Sequence, residues 1–113
     1  MKARPYQFRD GSYHPCEPHE ATDVALHMEG CHPNRIIPVI LKGSRDKHER
    51  SPVWTWNGDT ERPTLKPSIL TWTGEGEDKQ VCHAWVNDGM VQYLSDSTHE
   101  FAGQTRPLLD VRE

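Results

Sequence analysis

The feature that most constrains the fold is the strand–turn–strand pattern of residues 81–103, VCHAWVNDGMVQYLSDSTHEFAG. Asn87, Asp88 and Gly89 suit a hairpin loop that needs positive φ angles. In a regular strand before this loop, Cys82 and the alternate residues after it face one side, and His83 faces the other. The pattern predicts an antiparallel hairpin around which the rest of the chain is organised.

Further short apolar segments, separated by proline and glycine, extend this β pattern along the chain. Residues 21–29 fit either a short helix or a strand, and we favour a strand that forms a hairpin with residues 35–41. Pro38 lies inside the second of these segments and predicts an edge strand or a bulge. Trp54 and Trp56 alternate in a further strand, where they are expected to pack into the core rather than form a ligand cage.

The predicted fold is mainly β: a small single domain of antiparallel hairpins, either a compact sandwich or a zinc-ribbon-like structure. We expect one short helical turn near residues 96–102, ended by Gly103. The domain is expected to span residues 1–113, with an irregular N-terminal segment at 1–20 and the best-defined β core at 53–110.

Composition excludes some classes of partner and location. The net charge is −4 and basic residues do not cluster, so nucleic-acid binding is not expected. No apolar run approaches the roughly 18 residues that a membrane span needs, and the first ten residues lack the apolar region of a signal peptide. These observations predict a cytoplasmic protein that does not bind membranes.

The cysteine and histidine content suggests that a bound metal ion stabilises this small, polar domain. Three Cys are an unpromising set for disulfides, whereas seven His stand beside them. Zinc takes about four nitrogen or sulfur ligands. We predict a zinc site with Cys31, Cys82, His83 and His99 as candidate ligands. Cys82 and His83 can both bind one ion only if the strand is bulged or ends there, so we expect one of the two to bind and the other to orient or pack.

Alternatives remain open at each of these positions. Reserve ligands for zinc are His27, His32, Asp96, Cys16 and His19. Asp96 also suits a helix cap, or the acceptor for the second ring nitrogen of a ligand histidine. Without a metal, Cys82 is a small core residue, His99 is a hydrogen-bonded turn residue, and Cys16 and His19 belong to a solvated loop.

Several motifs in order, namely residues 54–59, 63–69, 82–83, 88–89 and 96–105, resemble a family of small uncharacterised proteins of phages and prophages. Its members often carry the label "ammonia monooxygenase", and the resemblance is best over residues 53–110. The resemblance implies a phage or prophage origin and a metal site, but no reaction.

Three functional classes follow, in order of preference. The first is a phage or prophage accessory protein in the cytoplasm of the bacterial host: a non-enzymatic β domain, stabilised by a metal, that binds a host or phage macromolecule. A protein of the host cell is the expected partner, for example to counter host defence. The second is a small metal-dependent hydrolase with an open zinc site and Asp96 or Glu100 as general base. The third is a virion or assembly component.

Overall fold

A computed structural model describes residues 1–29, 35–44 and 52–111, and these form nine β-strands and two 3-10 turns without an α-helix. The strands are β1 Ala3–Arg9, β2 Ser12–Pro15, β3 Asp23–Leu26, β4 Arg35–Leu41, β5 Trp54–Trp56, β6 Leu65–Thr73, β7 Gln80–Asn87, β8 Met90–Tyr93 and β9 Thr105–Pro107. The prediction of a mainly β fold is confirmed. Among the described residues, no helix has the length and apolar character to span a membrane.

All nine strands belong to one sheet, in the order β2-β1-β3-β4-β5-β6-β7-β8-β9. Neighbouring strands are antiparallel except β4 and β5, which run parallel. The predicted hairpin between residues 21–29 and 35–41 is confirmed as β3 and β4. The hairpin at Asn87–Gly89 is confirmed as β7 and β8, and both Asp88 and Gly89 have the positive φ expected of its turn.

Strand β4 lies inside the sheet, so the expectation of an edge strand from Pro38 is wrong. Pro38 is the last residue that pairs with β3, and Val39 is the first that pairs with β5. Proline lacks the N–H that a ladder needs. It is tolerated here because the strand changes partner at this point.

The N-terminal segment is more regular than the sequence suggested. Residues 1–20, expected to be irregular apart from a short edge strand, contain β1, β2 and a 3-10 turn at Pro18–Glu20. Ala3 and Pro5 are buried, and β1 pairs with both β2 and β3. Burial of one face therefore holds this segment in the sheet despite its prolines.

The segment after β8 contains consecutive turns rather than the helical turn expected near residues 96–102. Its hydrogen bonds join residues three apart, as from the Ala102 N–H to the His99 carbonyl at 3.2 Å. Gly103 has a φ of 82°, the left-handed conformation that the sequence predicted for it.

One hydrophobic core lies against the inward face of the sheet. Trp56 is fully buried there, as predicted, and its ring N–H donates to the Asp59 carbonyl at 3.2 Å. Trp54 is half-buried and packs against this core. The largest fully buried side chains are Trp56, Tyr93, Leu26, Met28, Ile37, Leu65, Ile69, Leu108, Val24, Val39, Val86 and Val91.

Strands β6 and β7 alternate between this core and an outward face. Ile69 and Ala84 point inward and are buried, whereas Leu70 and Trp85 are 45% and 40% exposed. Cys82 lies on the inward face and forms a disulfide bond, contrary to the expectation that the cysteines would not pair. The outward face of these two strands carries the candidate site.

Replacing Cys82 with alanine is expected to lower the free energy of unfolding by about 2–5 kcal/mol, because the disulfide and a buried core side chain are both lost. Denaturant unfolding followed by circular dichroism under non-reducing conditions measures the change. Cys16→Ala is the matched control, since Cys16 is a free, half-buried thiol. Equal stability of the two variants would contradict the structural role of Cys82.

Candidate active site

Three side chains form a continuous hydrogen-bonded chain on the outward face of the sheet. The Ser68 hydroxyl lies 3.0 Å from Nε2 of His83. Nδ1 of the same ring lies 2.9 Å and 3.2 Å from the two carboxylate oxygens of Asp96. The imidazole therefore bridges a hydroxyl and a carboxylate, one through each ring nitrogen.

The register of β6 and β7 brings Ser68 to His83. Leu70 pairs directly with His83, so Ser68, two residues earlier on the same face, is the diagonal neighbour of the histidine. Diagonal neighbours across an antiparallel pair lie within reach of long side chains. The register shifts between Leu65 and Ile69, and this bulge contains Ser68.

The backbone carbonyl of Ser68 is held from the opposite side of β6. It accepts a hydrogen bond of 3.2 Å from the ring N–H of Trp54, which lies on the neighbouring strand β5. This contact links the serine backbone to a side chain that packs against the core. The bulge is therefore anchored and does not depend on the pairing with β7 alone.

Asp96 is positioned by the turn that follows β8. Because β8 ends at Tyr93, this turn runs beside the first half of β7 and replaces β8 as its partner. The buried Ser97 hydroxyl accepts from the His83 N–H at 2.9 Å and donates to the His83 carbonyl at 3.1 Å. Thr98 binds both backbone groups of Val81 in the same region. These hydrogen bonds hold Asp96, the residue before Ser97, beside the ring of His83.

The arrangement has the parts of an activated serine nucleophile. A serine hydroxyl is a weak nucleophile until a neighbouring base takes its proton, and the base must be held in the correct tautomer. Nε2 of His83 is placed to accept that proton, and Asp96 is placed to accept the N–H of Nδ1. The His83 side chain is 23% exposed and that of Asp96 is 59% exposed, so the site is open to a substrate.

The structure does not assemble the predicted zinc ligands from the residues that it describes. Cys82 and His83 are neighbours in a regular strand and point to opposite faces, and Cys82 is in a disulfide. Across residues 1–29, 35–44 and 52–111, no three His, Cys, Asp or Glu side chains are grouped to hold a metal ion. The description of the protein as metal-binding is therefore wrong for this part of the chain. Cys31 and His32 lie outside the described residues, so zinc as a cofactor stays a prediction.

His99 belongs to an aromatic cluster and is not part of the hydrogen-bonded triad of Ser68, His83 and Asp96. Its ring lies 4.8 Å from that of Tyr93 and 5.9 Å from that of Phe101, measured between centroids. Nδ1 accepts the Phe101 N–H at 3.2 Å, and Nε2 is buried without a hydrogen bond. Burial lowers the pKa of His99, and the nearby Glu100 carboxylate opposes this only in part.

The reserve ligands are scattered. Cys16 and His19 follow β2, and five strands separate β2 from β7 in the sheet. Burial raises the pKa of the Cys16 thiol, and Glu20 and Glu17 add to this effect. The backbone of His27 pairs with that of Leu109 in an isolated bridge.

Glu100, the other predicted general base, is exposed and takes no part in the hydrogen-bonded chain.

Sequence reasoning placed His83 and Asp96 among the site residues but did not single out Ser68. One alternative role for Asp96, acceptor for the second nitrogen of a histidine, matches its contact with His83. The signal for Ser68 was its position in the alternation, since it shares the outward face of β6 with Leu70 and Trp72. The alternation identifies Ser68 as a site residue only when the pairing of β6 with β7, the strand that carries His83, is known.

The family of the chain follows from a comparison with known protein families. The model of the BubE family, described as the serine protease of a bacterial ubiquitination-like system, matches residues 3–94. The chain belongs to the BubE family. The match includes Ser68 and His83 and ends two residues before Asp96. No curated protein and no solved structure matches the chain significantly.

Membership of the BubE family corrects two expectations. The resemblance to phage proteins labelled "ammonia monooxygenase" was wrong, because the matched family is that of a bacterial ubiquitination-like system. The preferred function, a non-enzymatic counter-defence protein that binds a host factor, and the alternatives of a metal hydrolase and a virion component are overturned by the same match. The motifs behind the resemblance include Ser68, His83 and Asp96, the three residues of the hydrogen-bonded chain.

The lowered pKa of His99 gives a prediction for stability. The folded protein binds a proton at His99 less readily than the unfolded chain, so folding loses stability as pH falls below about 6.5. In His99→Asn, whose side-chain oxygen can replace Nδ1 as the acceptor for Phe101, we expect a smaller loss between pH 7.5 and pH 5.5. Thermal unfolding at both pH values measures it, and equal losses in the two proteins would contradict the assignment.

Proposed function

We propose that this protein is a serine peptidase with Ser68 as nucleophile, His83 as general base and acid, and Asp96 as the residue that orients His83. One observation carries the proposal: the unbroken hydrogen-bonded chain from the Ser68 hydroxyl through both nitrogens of His83 to the Asp96 carboxylate. The serine protease description of the BubE family supports it independently.

In the first half of the reaction, the Ser68 oxygen attacks the carbonyl carbon of the scissile peptide bond while Nε2 of His83 takes the hydroxyl proton. Asp96 accepts the hydrogen bond from Nδ1 and stabilises the imidazolium that forms. When the tetrahedral intermediate collapses, the carbon–nitrogen bond breaks, and His83 gives its proton to the leaving amine. The acyl group of the substrate is then an ester of Ser68.

In the second half, water attacks the ester carbonyl while Nε2 of His83 takes one of its protons. The bond to the Ser68 oxygen breaks, and the proton on His83 returns to that oxygen. The products are a new carboxyl terminus and a regenerated serine hydroxyl. All proton transfers pass through one ring nitrogen, which fits a base held at 3.0 Å from the nucleophile.

The substrate class follows from the family description rather than from the site alone. A protease of a bacterial ubiquitination-like system acts within that system. We infer that this chain cleaves a peptide bond in a protein of such a system. The open face around Ser68 suits a peptide segment that lies across the sheet, since Leu70 and Trp72 beside it are 45% and 59% exposed.

A fluorophosphonate probe, which reacts with activated serine hydroxyls, should label the wild-type protein once per chain, and peptide mapping should place the label on Ser68. Ser68→Ala is expected to abolish both labelling and cleavage of a library of proteome-derived peptides. Ser12→Ala removes an exposed serine of the edge strand β2 and is expected to retain both. Labelling that survives in Ser68→Ala would overturn the assignment.

Asp96→Asn is expected to slow fluorophosphonate labelling by about a hundredfold or more, because the amide favours the wrong tautomer of His83. The loss is expected to stay below the roughly 10⁴-fold known for a buried orienting aspartate, because water screens the exposed Asp96. The pseudo-first-order rate of labelling measures it. Asp78→Asn, an exposed control in the 3-10 turn at Gly76–Asp78, should label at the wild-type rate. An Asp96→Asn rate equal to that of the control would remove Asp96 from the mechanism.

A further inference from the structure

A second feature of the outward face is a cavity of about 330 Å³ beside the bulge of β6. Its lining residues are Thr64, Leu65, Lys66, Trp85, Val86, Asn87 and Gln92. The cavity opens where β6 departs from its register with β7, between the paired positions Leu65–Val86 and Ile69–Ala84. Three residues of β6 face one residue of β7 there, which leaves room for a ligand group.

The cavity adjoins the candidate active site along both strands. Lys66 lies two residues before Ser68 on β6, and Trp85 lies two residues after His83 on β7. Trp85 and His83 lie two residues apart in the regular part of β7, so they share a face and are separated by about 7 Å. Lys66 and Ser68 both lie within the bulge of β6, where the regular spacing does not apply. A peptide whose carbonyl carbon reaches the Ser68 oxygen therefore brings a neighbouring side chain over this cavity.

The lining combines an apolar wall with a positive charge. The Trp85 indole is 40% exposed and offers a flat apolar surface. Lys66 is the one charged residue among the described lining residues, and it is exposed. The side-chain oxygen of Asn87 accepts from the Thr64 hydroxyl at 3.4 Å. The amide nitrogen of the same side chain is a further potential hydrogen-bond donor. The lining thus offers positive charge and hydrogen-bond donors.

Nearby acidic charge does not cancel the charge of Lys66. Glu61, the acidic residue nearest to Lys66 in the sequence, lies 3.9 Å from the N-terminal amino group of Met1. Asp88, which follows the lining residue Asn87, forms an ion pair of 3.1 Å with Arg62. Asp96 is bound to His83 on the other side of the serine. The cavity therefore suits a ligand with an apolar stem and an anionic end. Its methylene groups would contact the Trp85 indole, and its carboxylate would meet the Lys66 ammonium group.

We propose that this cavity is a specificity pocket that selects an acidic side chain, glutamate above all, next to the scissile bond. The inference rests on the proposed peptidase function, and it names the substrate feature that the site recognises. Glutamate has two methylene groups to lie along Trp85 and a carboxylate to reach Lys66. Glutamine has the same shape without the charge, so the preference for glutamate over glutamine isolates the contribution of Lys66.

Cleavage of a proteome-derived peptide library, with the cleaved bonds identified by mass spectrometry, tests the proposal. For the wild-type protein we expect glutamate to be enriched at one position beside the cleaved bond. In matched peptides, Lys66→Met should lower kcat/KM for the glutamate peptide by about fivefold and leave the glutamine peptide unchanged. Lys66→Glu should shift the preference at that position towards lysine and arginine.

Two controls separate the pocket from the catalytic site. Lys79→Met removes an ammonium group that lies 5.4 Å from the Trp72 ring, away from the pocket, and should keep the wild-type preference. Lys66→Met should react with the fluorophosphonate probe at the wild-type rate, because the probe carries no side chain for the pocket. A reduced labelling rate would mean that Lys66 supports the catalytic site, and would overturn the pocket.

The remaining outcomes distinguish this inference from the proposed function. Cleavage by the wild-type protein without an acidic preference, or an acidic preference that survives in Lys66→Met, overturns the pocket and leaves the peptidase intact. Absence of both labelling and cleavage in the wild-type protein overturns both.

Discussion

The antiparallel pairing of β6 with β7 is the constraint on which the candidate site depends. Leu70 pairs with His83, and this register makes Ser68 the diagonal neighbour of the histidine. A slip of one residue would turn His83 into the core and expose Ala84, because successive side chains face opposite sides. The buried pair Ile69 and Ala84 opposes such a slip. Core packing on one face thus fixes the geometry of the candidate site on the other.

The third member of the triad depends on a different kind of pairing. The first half of β7 extends past the end of β8, and its backbone groups need partners. The side chains of Ser97 and Thr98 supply them, as hydroxyls that both donate and accept. The backbone N–H groups of Leu94 and Thr98 also donate to carbonyls of β7. Because these isolated contacts, rather than a regular strand, bind this half of β7, the chain can turn outward at Asp96. A regular β8 of the same length as β7 would leave no turn from which to present the carboxylate.

The sequence predicted those parts of the fold that local patterns determine. The turn at Asn87–Gly89, the hairpin of β3 and β4 and the opposite faces of Cys82 and His83 all follow from short-range rules. The expectation of an edge strand at Pro38 was wrong because the local rule for proline in strands cannot show that β4 changes its pairing partner at that residue.

The site was harder to predict because it is assembled across strands. Ser68 carries no local signature, and its neighbour His83 lies fifteen residues further along the chain. Histidine beside cysteine favoured a metal interpretation, although alternation in the strand places the two side chains on opposite faces. The contact between Asp96 and His83 does not distinguish the two interpretations, because a carboxylate that orients an imidazole has the same geometry in a metal site and in a serine site.

The openness of the triad bears on how it would work. Asp96 is more than half exposed, and water weakens its attraction for the His83 imidazolium. Leu70, Trp72 and Trp85 surround the site with exposed apolar surface that a peptide would cover. Such a peptide displaces water from the face, and the loss of water strengthens the interaction between carboxylate and imidazolium. In the proposed reaction, the bound peptide would therefore supply the water-excluding environment that the open sheet lacks. Peptide contacts beyond the scissile bond would then affect the rate of cleavage as well as binding.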